Sequence, residues 1–175
     1  LLGRLENGYH EVQMVMQTVS VFDLVTVTKL RSGIELSTNL PYLPIDHNNI
    51  AYRAAEEFFK YTGIKEGVSI DISKRIPVGA GLAGGSSNAS AVLKAMNKLF
   101  GTGLSLKELC TIGVKLGADV PYCILGGTRL AEGIGEDDRI LSICSCCASG
   151  NLLLLDKNLK PLTPIIGWQT LIPEE

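Results

Sequence analysis

Histidine is scarce in this chain of 175 residues, and the two that occur stand apart from the cysteines. Cys144, Cys146 and Cys147 cluster far in sequence from both His10 and His47, so a zinc site finds no support, and the cysteines read as reduced thiols of a cytosolic protein. Excess charge is missing as well. With 16 Lys and Arg against 18 Asp and Glu, the formal net charge is −2, which removes the electrostatic case for nucleic acid or an anionic membrane as partner. No apolar run approaches a bilayer span, no secretory signal opens the chain, and no internal repeat or long low-complexity segment is visible. A soluble, cytoplasmic protein is expected. The first residue is leucine rather than methionine, so the chain is expected to begin inside a longer gene product or to have been trimmed.

Apolar residues are plentiful at 46%, enough to bury the core of one domain and part of a second. Glycine is concentrated in one stretch, Pro77-Val78-Gly79-Ala80-Gly81-Leu82-Ala83-Gly84-Gly85-Ser86-Ser87. It follows an alternating, strand-like run (Val68, Ile70, Ile72) and opens a helix-like run from Ala89 to Leu99. Without a Cβ, glycine lets backbone N–H groups approach an anion, and the helix behind supplies unpaired donors and a positive dipole end. The stretch reads as a phosphate cradle. A flexible linker is disfavoured because Ala80, Leu82 and Ala83 interleave with the glycines, and a tight turn alone needs fewer glycines. A Walker A loop fits Gly79 and Gly84 but finds Gly85 where its lysine belongs. The dinucleotide fingerprint G-x-G-x-x-G is met by Gly79, Gly81 and Gly84. The strand before it, however, alternates polar with apolar residues where a central Rossmann strand is continuously apolar, and a capping box (Ser105, Glu108) follows where a second parallel strand should come.

In chain order, Asn7-Gly8 marks a tight turn beside Tyr9 and His10, and strands are expected over Glu11 to Thr18 and Val21 to Lys29. In the second of these, Val25 and Val27 alternate with Thr26 and Thr28, while Leu24 breaks the pattern. A short strand and a proline-bounded loop occupy Ser32 to Pro44. Capping side chains between Asp46 and Asn49 then precede a helix from Ile50 to Thr62, which Gly63 terminates. The apolar stripe Ala89, Val92, Leu93, Met96 and Phe100 is core. A helix from Ser105 to Leu116 stops at Gly117, and Asp119 reads by itself as a turn former ahead of Pro121. A strand is expected from Thr128 to Ala131. Beyond Cys144 the pattern weakens to an apolar run, Leu152 to Leu155, and a proline-rich tail.

Three separated stretches, Gly8-Tyr9-His10-Glu11, Pro77 to Ala89, and Gly117-Ala118-Asp119-Val120-Pro121, together resemble the GHMP kinase superfamily, in the branch that phosphorylates 4-diphosphocytidyl-2-C-methyl-D-erythritol for non-mevalonate isoprenoid synthesis. The resemblance spans roughly Leu1 to Glu136. It implies an α+β fold, a two-layer arrangement of mixed sheet and helices, with residues 1–150 as the N-terminal ATP-binding domain and 151–175 as the start of a missing or aberrant C-terminal domain. It implies ATP bound by Pro77 through Ser87, Mg²⁺ near Ser86 or Ser87, and Asn49 near the adenine. It further implies that Asp119 is the general base for the tertiary hydroxyl and that Tyr9 and His10 recognise the cytosine. Asn7 stands where the family usually has aspartate, and Ala83 where glycine is common. The family's catalytic lysine belongs upstream of Leu1, and its third glycine-rich motif is absent. Two other readings stay open: another GHMP small-molecule kinase, and a non-catalytic nucleotide-binding fragment.

Overall fold

The computed structural model of the protein describes residues 3–4, 10–135, 151–152 and 166–167, with side chains over residues 15–129. Tyr9, the side chain of His10 and most of the segment 151–175 lie outside what is described. In chain order the elements are β1 (Gly3–Arg4), β2 (His10–Gln17), β3 (Leu24–Leu30), β4 (Ile34–Thr38), α1 (Ile50–Thr62), β5 (Gly67–Ser73), α2 (Gly84–Phe100), α3 (Leu106–Val114), α4 (Val120–Leu125), β6 (Thr128–Gly135), β7 (Asn151–Leu152) and β8 (Ile166–Gly167). The chain divides into two compact units, one formed by Val21–Gly126 and one joining the segments on either side of it.

In the central unit β5 is the middle strand of a mixed sheet, antiparallel to β3 and parallel to β4, with α1 as the crossover between the two parallel strands. Its alternation works as expected of a strand covered on one face: Val68, Ile70 and Ile72 are buried, while Asp71 between them is exposed and accepts a hydrogen bond from Ser37 Oγ at 2.6 Å. β3 likewise turns Val25 and Val27 toward the core and Thr26 and Thr28 outward. It begins at Leu24, three residues later than the sequence pattern suggests, because Asp23 is drawn inward by the partners described below.

The helices cover the buried face. α1 presents Ala51, Ala54 and Ala55, all fully buried, and these small side chains let it lie close to its neighbours. α2 buries Ala89, Val92, Leu93 and Met96, the expected stripe, but starts at Gly84, five residues earlier than the apolar pattern reveals. Phe58, Phe59 and Phe100 meet where α1 and α2 approach, with ring centroids 5.5 to 6.3 Å apart. The capping box on α3 is formed in both directions, Glu108 N–H to Ser105 Oγ at 3.3 Å and Ser105 N–H to Glu108 Oε2 at 2.9 Å. Val120 and Pro121, read in the sequence as part of a turn, instead open α4, with proline tolerated in the first turn because its missing N–H has no helical acceptor.

In the other unit, β2 pairs antiparallel with β6 from His10 opposite Gly135 to Gln17 opposite Thr128, and β1 pairs with the start of β2. β7 and β8 form a separate two-stranded pair. Among the described residues, no helix is long and apolar enough to cross a membrane.

Gly67, at the start of β5, faces the turn before β4 so closely that a Cβ would stand 2.5 Å from the carbonyl oxygens of Ser32 and Gly33. Backbone atoms cannot rotate aside as a side chain would. Gly67→Ala is therefore expected to destabilise the fold by about 1–3 kcal/mol, read as a lower denaturation midpoint. An unchanged midpoint would mean that the turn yields freely.

Candidate functional site

The glycine stretch leaves the end of β5 and arches over a cavity of about 400 Å³ before entering α2. The cavity walls include residues 77–85 of the arch, Asn48, Asn49 and Ile50 at the start of α1, Thr38, Ile72 and Lys74 from the sheet side, and Asn88 from α2. Gly79 and Gly81 both have φ of +72°, the left-handed region in which glycine carries no penalty. Gly84 is required for another reason: a Cβ there would stand 2.9 Å from Ile76 Cγ2 and 3.2 Å from Lys74 Nζ. Ala83, the residue in place of a family glycine, takes φ +52° and is the one described non-glycine residue with positive φ. It supplies no side-chain cap to α2, and helical bonding begins with Ser87 N–H donating to Ala83 O at 2.8 Å. The earlier N–H groups of that turn are therefore available at the helix's positive end.

What holds the arch at its root is an ion pair that sequence reasoning missed. Asp23 and Lys74 are joined by a short charge-assisted hydrogen bond, with only 1% and 6% of their side chains exposed. The other carboxylate oxygen, Oδ1, accepts the N–H groups of Arg75 at 2.6 Å and Ile76 at 2.8 Å. Burial pushes the Asp23 carboxyl up, but the Lys74 hydrogen bond and the two backbone donors outweigh it and hold the group below its ordinary 3.8. The legible signal was a lone acid inside the run Val21 to Leu24; what it would meet was not legible.

The residues singled out from the sequence come together in part. Residues 77–85 form the cavity wall, as does Asn49, but the Asn49 amide is committed to the fold: Oδ1 accepts from Ala51 N and Nδ2 donates to Pro44 O, both at 2.9 Å. Ser86 and Ser87 sit in the first turn of α2, outside the cavity lining, and Ser87 Oγ donates to Gly84 O at 2.9 Å. Asp119 is the residue before α4. Its αR backbone keeps the side chain from capping the helix, so its carboxylate is exposed and makes no hydrogen bond or ion pair with a described residue. Burial, and then the Asp119 carboxylate, push the neighbouring Cys123 thiol up to about 11. Ile50 connects this turn to the arch. Its Cγ2 lies 3.4 Å from where a Cβ on Gly85 would be, and its Cδ1 3.9 Å from one on Gly117.

Asp23→Asn is expected to cost about 3 kcal/mol, because it leaves the Lys74 ammonium buried without a counter-charge. The pH dependence has a definite sign. Since the folded Asp23 titrates below its unfolded value, its contribution is complete above that value and is lost as pH falls through the folded one. Unfolding midpoints taken down to about pH 3 should thus fall more steeply in the parent than in Asp23→Asn. Parallel curves would show that the carboxylate is not held in its charged form.

Comparison with known proteins agrees with this geometry. Residues 49–127 match the model of the GHMP kinases N terminal domain. Among curated relatives, the 4-diphosphocytidyl-2-C-methyl-D-erythritol kinase of Clostridium botulinum (strain Alaska E43 / Type E3) is 53% identical over 136 residues, covering 78% of this chain and 49% of the relative. That of Clostridium kluyveri (strain ATCC 8527) is 50% identical over 145 residues, covering 83% and 51%. The chain thus spans about half the length of the curated relatives it matches. A crystal structure of 4-(cytidine 5'-diphospho)-2C-methyl-D-erythritol kinase superposes with a TM-score of 0.66 at 40% identity, over 76% of this chain and 47% of that one. A homoserine kinase from Cytophaga hutchinsonii, 22% identical with a TM-score of 0.57 over 65% and 42%, shares the fold. With its α+β architecture, glycine arch and matching relatives, the chain carries over residues 49–127 the N-terminal domain of the GHMP kinases.

Proposed function

We propose that the polypeptide carrying this chain transfers the γ-phosphoryl group of ATP to the tertiary hydroxyl of 4-diphosphocytidyl-2-C-methyl-D-erythritol, a step of non-mevalonate isoprenoid precursor synthesis. The observation that carries the reading is the glycine arch closing over a cavity at the start of α2. Such an arch offers N–H donors and a helix dipole to a polyphosphate, while the cavity has room for the nucleoside. Relatives named for this activity, about half identical over the matched segment, support the same choice of acceptor.

Phosphoryl transfer needs positioning and charge stabilisation more than covalent chemistry from the protein. As the hydroxyl oxygen bonds to the γ-phosphorus, the bond from that phosphorus to the ADP oxygen breaks and the hydroxyl proton passes to Asp119. Asp119 suits that role because its carboxylate has no described partner to give up first. No group of three or more His, Cys, Asp or Glu among the described residues forms a metal site. Mg²⁺ would therefore be held chiefly by phosphate oxygens, with the hydroxyls of Ser86 and Ser87 as the nearby protein oxygens on α2. When bound, the ion neutralises charge on the phosphates. Tyr9 and His10 are assigned to the cytosine of the acceptor.

Two measurements test this. Asp119→Asn keeps the shape of the side chain but cannot take up the proton, so turnover should fall by about 10²-fold or more while both substrates still bind and the melting temperature holds. Near-normal turnover would remove Asp119 from the mechanism. Replacing Tyr9 or His10 by alanine should raise KM for the cytidyl substrate well above any change in KM for ATP. Equal effects on both substrates would mean that the pair serves folding instead.

A further inference from the structure

The polar side chains on the cavity wall are almost all spent on the protein itself. Thr38 Oγ1 accepts from Leu40 N at 3.2 Å, Asn48 Nδ2 donates to Asp46 at 2.9 Å, the Asn49 amide is engaged at both ends, and Lys74 is tied to Asp23. Asn88 differs. It is only 5% exposed, it lines the cavity, and its amide makes no hydrogen bond with any described residue. Nor is that amide sealed in the core, because among the described side chains the fully enclosed polar atom left without a hydrogen bond is Glu57 Oε2. Both polar atoms of Asn88 therefore keep some exposure, on a residue that lines the cavity.

Its direction follows from its place on α2. Asn88 lies four residues after Gly84 and three after Gly85, on the face that both glycines present to the cavity. Helical side chains lean back toward the N-terminus, so the amide leans toward the unpaired N–H groups and the arch. A buried amide with no partner is unfavourable in a protein by itself, and one aimed at an anion cradle has an evident use.

We propose that Asn88 is a phosphate-contact residue: its Nδ2 donates a hydrogen bond to a phosphate oxygen of the nucleotide held under the arch. This rests on the nucleotide reading above and adds to it a neutral donor from inside the helix. Phosphate oxygens at this point are all acceptors, so an amide N–H₂ fits where a carboxylate would repel.

The test compares dissociation constants of ATP, inorganic tripolyphosphate and adenosine for the full polypeptide carrying this chain, in its parent form and as Asn88→Leu and Asn88→Asp. Leucine matches the amide in size and removes an unsatisfied buried group, so it should fold at least as stably as the parent. Asn88→Leu should weaken ATP and tripolyphosphate about tenfold and leave adenosine unchanged, with Asn88→Asp weakening the two anions further. If adenosine loses as much as ATP, the amide serves the nucleoside and the proposal is overturned. Unaltered binding of all three by both variants overturns it as well, while leaving the nucleotide reading in place. Failure of the parent itself to bind ATP or tripolyphosphate would instead overturn the nucleotide reading, and this proposal with it.

Discussion

The carboxylate of Asp23 is the constraint on which the glycine arch depends. Chain that is leaving a strand for a loop must find partners for its backbone N–H groups, and here Arg75 and Ile76 give theirs to one buried oxygen. The same side chain neutralises Lys74, which would be prohibitively costly to bury alone. Lys74 in turn packs against Gly84, so a single acid positions both ends of the arch: the residues that enter it and the glycine that starts α2.

The arch shows that glycines within one motif answer to different physics. Gly79 and Gly81 are there for backbone conformation, with open space where their side chains would be, whereas Gly84 is there for close packing. Ala83 breaks the pattern by adopting a left-handed conformation with a Cβ, at a cost of about 1 kcal/mol. Such strain is retained where the surrounding structure over-determines the backbone, and here that backbone is the last link before a helix whose N–H groups face a cavity.

Ile50 joins the glycine arch to the turn at Gly117 without being polar itself. As the first residue of α1 it touches the arch at Gly85 and the turn at Gly117, so the glycine arch and the segment bearing Asp119 share one packing contact. Changes in the size of this side chain would be felt at both places, since closely packed interiors transmit displacement.

Local patterning alone determined the strands with period two, the stripe of α2, the cap of α1 at Asn49 and the capping box of α3, because each depends on residues within a few positions of one another. It also located the glycine arch and, through three motifs, the GHMP kinase resemblance. It could not find where α2 begins, because Gly84 and Gly85 carry no helical preference, nor that Val120 and Pro121 start a helix rather than continue a turn. The pairing of Asp23 with Lys74 spans 51 residues, and the uncommitted amide of Asn88 is visible only once the other polar side chains on the cavity wall have been matched with their partners. Those features were decided by tertiary structure, because the partner of a buried charge and the surroundings of a buried amide are set by what folding brings near, and spacing along the chain carries neither.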